Sequence, residues 1–173
     1  MTAEDHLVLI ARSTNLAVLK TSVRSGKHVT MSFISINTKT GLACFINAGH
    51  IPPLWVHNDL KKTTSLMCQS NRLGYSEDSQ FNVKSFQMLP GDSLCVFSDG
   101  LIENLSDSEE CLNVKQIKKT LDSSLNPEDA CESIMEKAQN IWKDAKHEDD
   151  ISLVVAKWEG VPGELILKSE DAA

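Results

Sequence analysis

The sequence predicts a single α+β domain in which short strands pair mainly antiparallel and helices flank them. Three observations carry this. "VTMSFISIN" (29 to 37) alternates in the manner of a strand, turns through "NTKTG" and returns as "LACFINA" (42 to 48), the pattern of a hairpin. "SLCVFS" (93 to 98) is an apolar run bounded by turn residues, as in a strand covered on both faces. Helical spacing opens the chain and dominates 113 to 144. With 173 residues, 41% of them hydrophobic, the chain can bury one real core.

The elements follow in order. Thr2 stands three residues before Asp5, a cap-like pairing, and Leu9, Leu16, Leu19 and Val23 recur at near-helical intervals, so a helix is expected from about 3 to 24. "RSGKH" ends it. The hairpin follows, and after "GHIPP" a short strand is expected at "LWVH" (54 to 57). Residues 58 to 80 are polar and without sustained period, a long connection. Strand character resumes at 81 to 89, "PGD" turns, and "SLCVFS" runs into Asp99. Asn113 with Gln116 reads as a capping pair for a helix carrying Val114, Ile117 and Leu121. Asn126 as cap and Pro127 in the first turn open a clearer helix (126 to 144), with Ala130, Ile134, Ala138 and Ile141 on its buried side. "DDISLVVAKW" (149 to 158) is a closing strand. Residues 159 to 173 form a tail with one edge strand expected at "ELILK".

Charge and composition narrow the function. Seventeen basic against 24 acidic residues give a net charge of -7, which repels a phosphate backbone, so no nucleic acid is expected as partner. The longest apolar stretches are too short to cross a bilayer, and no basic-then-apolar signal opens the chain; no membrane segment is expected. Five scattered cysteines without a C-x-x-C pair signal neither a disulfide framework nor a zinc site. They read as structural thiols of a cytoplasmic protein.

Chemistry concentrates at two strand ends and one turn. "VFSDG" and "HEDDISLVV" each place aspartate at the extremity of an apolar strand. If those strands are neighbours, Asp99 can converge with Asp149 or Asp150, offering the hard oxygen ligands that magnesium and manganese take. Aspartate before glycine is equally ordinary turn chemistry. Leu101 and Glu103 do not fit a calcium loop of the EF-hand kind. In "INAGHIPPLWV", Asn47, Gly49 and the prolines suggest a tight turn with His50 at its apex. That histidine reads either as a turn residue or as a group that donates a proton or orients a phosphate.

"FINAGHIPPLWV", "LPGDSLCVFSDGLIENLSDSEE" and "HEDDISLVVAKW", in that order and spacing, resemble the C-terminal two thirds of a SpoIIE/RsbU-type serine phosphatase domain of the metal-dependent PPM class. The opening helix and the strand after it resemble the family's second helix and following strand, so the likeness covers roughly residues 2 to 158. It implies a PPM-phosphatase-like α-β-β-α sandwich over 1 to 158, with 159 to 173 as a tail. It also implies metal-binding roles for Asp99 and Asp149, with Gly100 letting the backbone pass close and Asp150 as second-choice ligand. Asn47 and His50 fall to the substrate side. Family domains use two Mn2+ or Mg2+ ions to activate a water that attacks phosphoserine or phosphothreonine. The implied partner is a phosphorylated regulator of the STAS type, an anti-sigma antagonist, in bacterial signalling.

One part of the family pattern has no match here: the N-terminal strand pair and first helix with their "D-(x)-SGHG" motif, which supply a further metal aspartate and a glycine carbonyl. A sandwich lacking those strands exposes sheet edges and part of its core, which favours pairing with a second copy of the chain or with the missing segment. Weak or absent catalysis is expected from these residues alone. The other expectation from the same residues is a non-catalytic interaction or dimerisation module on the phosphatase scaffold.

Overall fold

The computed structural model describes residues 1–22, 27–105, 110–143 and 149–161. Its elements are α1 (Ala3–Ser22), β1 (Met31–Ile36), β2 (Leu42–Ala48), β3 (Leu54–His57), β4 (Lys62–Ser65), β5 (Lys84–Gln87), β6 (Ser93–Phe97), α2 (Gly100–Glu103), α3 (Val114–Ser123), α4 (Pro127–Trp142) and β7 (Leu153–Lys157). The expected edge strand at "ELILK" lies outside the described residues. β4 falls inside the stretch expected to be a long connection. Its sequence is polar, and its pairing with β3, from Leu54↔Ser65 to His57↔Lys62, supplies the order that composition does not announce.

Two sheets form, one in the order β1-β2-β5 and one in the order β4-β3-β6-β7, every pairing antiparallel. Three apolar clusters define four layers. Leu7 and Ala11 of α1 pack with Cys44, Ile46 and Ala48 of β2. Phe45, Met88 and Leu94, with Trp55 and Phe86 against them, fill the space between the sheets. Cys95, Phe97, Ile117, Leu121, Ile134 and Trp142 join the second sheet to α3 and α4. The result is the α-β-β-α sandwich.

Helix starts follow their capping residues. Thr2 and Asp5 exchange backbone-to-side-chain hydrogen bonds of 2.9 and 3.1 Å at the head of α1. Asn113 and Gln116 close a full capping box on α3, and Asn126 caps α4 with Pro127 as its first residue. The bonds from Thr2 hold the Asp5 carboxyl below its ordinary value of 3.8. A depressed carboxyl contributes its stability above the unfolded-state value and loses it as pH falls through the lower folded value. Acid titration below 3.8 therefore frays the first turn of α1, read by the amide signals of residues 3 to 6.

The buried face of α1 differs from the one its leucines suggest. Leu7 and Ala11 face the sheet and Asn15 is buried against the segment 74–76, whereas Leu9 and Leu16 are 53% and 42% exposed. Asn15 decides the orientation: its amide donates to the Ser76 carbonyl at 2.8 Å and its Oδ1 accepts from the Gly74 N–H at 2.8 Å. A buried amide that satisfies two backbone groups outweighs the burial of one more leucine.

Cys44, Cys68 and Cys95 are buried, while Cys111 and Cys131 are partly exposed. Burial, with a smaller contribution from Cys131, pushes the Cys95 thiol up to about 12. A thiol reagent at pH 8 should label Cys111 and Cys131 in the native protein and leave Cys95 unmodified until denaturant is added.

Candidate metal and substrate rim

The pairing fixes which loops meet. β3 begins opposite the middle of β6 (Leu54↔Cys95), so the residues before Leu54 run towards the end of β6, and β6 ends opposite the start of β7 (Phe97↔Leu153). The turn after β2, the segment from Ser98 and the segment leading into β7 therefore lie at one end of the second sheet. Asp99, Gly100, Asp149, Asp150 and the turn that carries His50 belong to these segments, while Asn47 ends β2 of the first sheet and reaches the turn through its side chain.

Two of its segments are in direct contact. A Cβ placed on Gly100 would come 2.4 Å from the Asp150 carbonyl oxygen and 3.2 Å from that of Asp149, so only glycine lets the backbones pass this closely. Ser98 stitches the same junction: its hydroxyl donates to the Asp150 carbonyl at 3.1 Å and accepts from the Ser152 N–H at 2.8 Å. Asn104 holds Asp149 from both sides, Nδ2 donating to its carbonyl at 2.9 Å and Oδ1 accepting from its N–H at 3.1 Å. Trp142, buried in α4, donates its indole N–H to the Asn104 carbonyl at 2.9 Å, tying the clamp to the core. Sequence reasoning missed Asn104 and the stitching role of Ser98. Nothing local marks them, because their partners lie about fifty residues away.

Asp99, Asp149 and Asp150 are exposed. Asp99 accepts from the Gly100 N–H at 3.2 Å as the cap of α2, and Asp149 accepts from the Asp150 N–H at 2.9 Å. Each of these bonds occupies one carboxylate oxygen with a neighbouring amide. The rim thus offers hard oxygen donors from two segments, the donor type suited to Mg2+ or Mn2+, but fewer than the six positions such ions fill. Among the described residues no group of three His, Cys, Asp or Glu side chains is placed to hold a metal.

Asn47 and His50 form the neighbouring turn. The buried Asn47 side chain donates to the His50 carbonyl and accepts from its N–H, both at 2.8 Å, so the amide is committed to shaping the loop. His50 Nδ1 lies 3.0 Å from the Ile51 carbonyl. A carbonyl only accepts, so Nδ1 carries the hydrogen and Nε2 is left as the free ring atom. A cavity of about 190 Å³ lined by Asn47, Gly49, His50, Pro52 and residues 67–70 opens beside it.

The model of the family described as Stage II sporulation protein E (SpoIIE) matches residues 1–159, and the chain belongs to this family. Its fold is that of the phosphatase domains to which it is similar. Among solved structures, the chain is similar to the SiaA-PP2C domain of Pseudomonas aeruginosa, with a TM-score of 0.73 and 15% identity over 90% of this chain and 65% of that one. It is also similar to the RsbU and RsbW domains of Rv1364c from Mycobacterium tuberculosis, with a TM-score of 0.68 and 21% identity over 92% of this chain and 44% of that one. The phosphatase domain of SpoIIE from Bacillus subtilis aligns with a TM-score of 0.60 and 19% identity, over 87% of this chain and 66% of that one. The chain thus spans less than two thirds of the length of each. No match arises among the curated proteins. No described helix is long and apolar enough to cross a membrane.

Proposed function

We propose that this chain forms part of a metal-dependent protein serine/threonine phosphatase site, with Asp99 and Asp149 as the carboxylates that bind the ion and Asp150 as a further ligand. The close passage of Gly100 against the Asp149 and Asp150 backbone supports this reading most directly, since it brings the two aspartate segments to one place. The donor set suits Mn2+ or Mg2+, and relatives described as RsbX in complex with magnesium and as manganese-presoaked SpoIIE support the same choice. When bound, such ions activate water and neutralise charge on the phosphoryl oxygens. The chain's own residues orient the rest: Ser98 and Asn104 hold the strand ends, Asn47 shapes the turn, and His50 presents Nε2 on the substrate side. A phosphorylated regulator of the STAS type in bacterial cytoplasmic signalling is the substrate class, a reading supported by the similarity to the RsbU and RsbW domains.

Calorimetric titration with Mn2+ tests it. Micromolar binding that Asp99→Asn abolishes is expected; a wild-type chain that takes up no Mn2+ contradicts the proposal. Turnover of a phosphorylated anti-sigma-antagonist peptide should be weak or absent with this chain, because only part of the family's ligand set is present.

One observation favours a second reading, the non-catalytic dimerisation module. Among the described strands β7 is at the edge of its sheet, and Val154, on the face opposite the Leu153 and Val155 contacts with the helices, is 59% exposed. Under that reading the chain sediments as a dimer that Val154→Asp splits, and it binds no Mn2+.

A further inference from the structure

We infer that Arg72 is a phosphoryl-binding residue on the substrate side of this rim, gripping the phosphate of a phosphoserine or phosphothreonine segment. The inference takes the ligand's identity from the phosphatase reading and its place from geometry alone.

The position of Arg72 is set by both its side chain and its backbone. A Cβ on Gly49 would lie 2.6 Å from Arg72 Cγ and 3.5 Å from its Nε, so the arginine stem rests directly on the turn that carries His50. Gly49 has φ +75°, where a larger side chain is strained as well as crowded. The backbone around Arg72 is pinned on every side. Ser70 N–H donates to the Asn47 carbonyl at 3.1 Å, and Asn71 N–H to the Gln80 carbonyl at 3.2 Å. Leu73 and Val29 exchange bonds of 2.9 and 3.0 Å, and Gly74 N–H donates to the buried Asn15 at 2.8 Å.

Against that fixed backbone the guanidinium has no ion-pair partner among the described residues. Arg72 is exposed, and among the described residues the one ion pair is Lys157 with Glu159. In a chain with seven more acidic than basic residues, an arginine without a carboxylate partner beside a functional turn is placed to receive an anion. Guanidinium matches a phosphate bidentately, and a pinned backbone lowers the ordering cost of that contact. His50 Nε2, the free ring atom of the same turn, can accept from the P–OH of a monoprotonated phosphate.

The test titrates the 15N-labelled chain with inorganic phosphate in metal-free buffer. The Gly49 and His50 amides and the Arg72 Nε–H should shift together. Arg72→Gln keeps the stem that packs on Gly49 and removes the charge, and it should bind about tenfold more weakly; Arg72→Lys should fall between the two. A dispersed spectrum for each variant confirms that the fold is retained. Unchanged affinity in Arg72→Gln, or shifts confined to other parts of the chain, would overturn the inference. A parallel Mn2+ titration separates it from the phosphatase reading: loss of Mn2+ binding with the phosphate shifts intact would remove the metal reading and leave the anion site standing.

Discussion

Gly100→Ala lowers Mn2+ affinity at least tenfold while leaving the sandwich folded. The added methyl would sit 2.4 Å from the Asp150 carbonyl oxygen and 3.0 Å from its carbon, and both are backbone atoms that cannot rotate away. The segment leading into β7 must retreat, and the Asp149 carboxylate retreats with it. The cost of such crowding is about 1–3 kcal/mol, which for a chain of this size lowers Tm by roughly 2–12 °C. Binding should fall while the fold is retained, because the displacement falls between the two donor segments and leaves the apolar clusters intact. Calorimetry with Mn2+, run beside thermal unfolding, reads both. Affinity unchanged within twofold would mean that the two segments do not share an ion.

The second large effect is on stability. Asp92 is 1% exposed, and its carboxylate accepts from Trp55 Nε1 at 3.0 Å, from Asn58 N–H at 2.9 Å and from Leu89 N–H at 2.9 Å. Its backbone carbonyl accepts from Trp158 N–H at 2.9 Å, joining the turn before β6 to the end of β7. Asp92→Ala removes the shared acceptor of three part-buried donors, of which those of Asn58 and Leu89 sit on exposed residues that water reaches, so a loss of about 1–3 kcal/mol is expected. Asp92→Asn is also destabilising, since its NH2 group meets an N–H where an acceptor is required. Urea unfolding at neutral pH measures both variants. A loss below about 1 kcal/mol for Asp92→Ala would show that water reaches all three of the carboxylate's partners.

Asp92 also shows where sequence stops being informative. As part of "PGD" it reads as a turn residue, which it is; nothing local says that Trp55 and Asn58, more than thirty residues earlier, use its oxygens. Features whose physics is local were legible. The Asn113 and Gln116 box, the Asn126 cap with Pro127, and the hairpin through "NTKTG" all act within a few residues, and each appears at its expected place. β4 was not legible, because "KTTS" becomes a strand through its neighbour β3. The inward turn of Asn15 on α1 was not legible, because the backbone groups it meets lie about sixty residues away.

The rim divides the same way. Asp99, Gly100, Asp149 and Asp150 could be named because aspartates at the ends of apolar strands stand out in a linear reading. Ser98, Asn104 and Trp142, which hold those aspartates in place, act through contacts that only the folded chain creates. Arg72 belongs with them: its relation to Gly49 crosses more than twenty residues of sequence.

The most direct measurement is an anomalous difference map at the manganese edge from crystals grown with Mn2+. The account predicts a peak about 2.1–2.3 Å from one carboxylate oxygen of Asp99 and one of Asp149. A map with no peak there, or with manganese held by one of these aspartates while the other points into separate solvent, would contradict it.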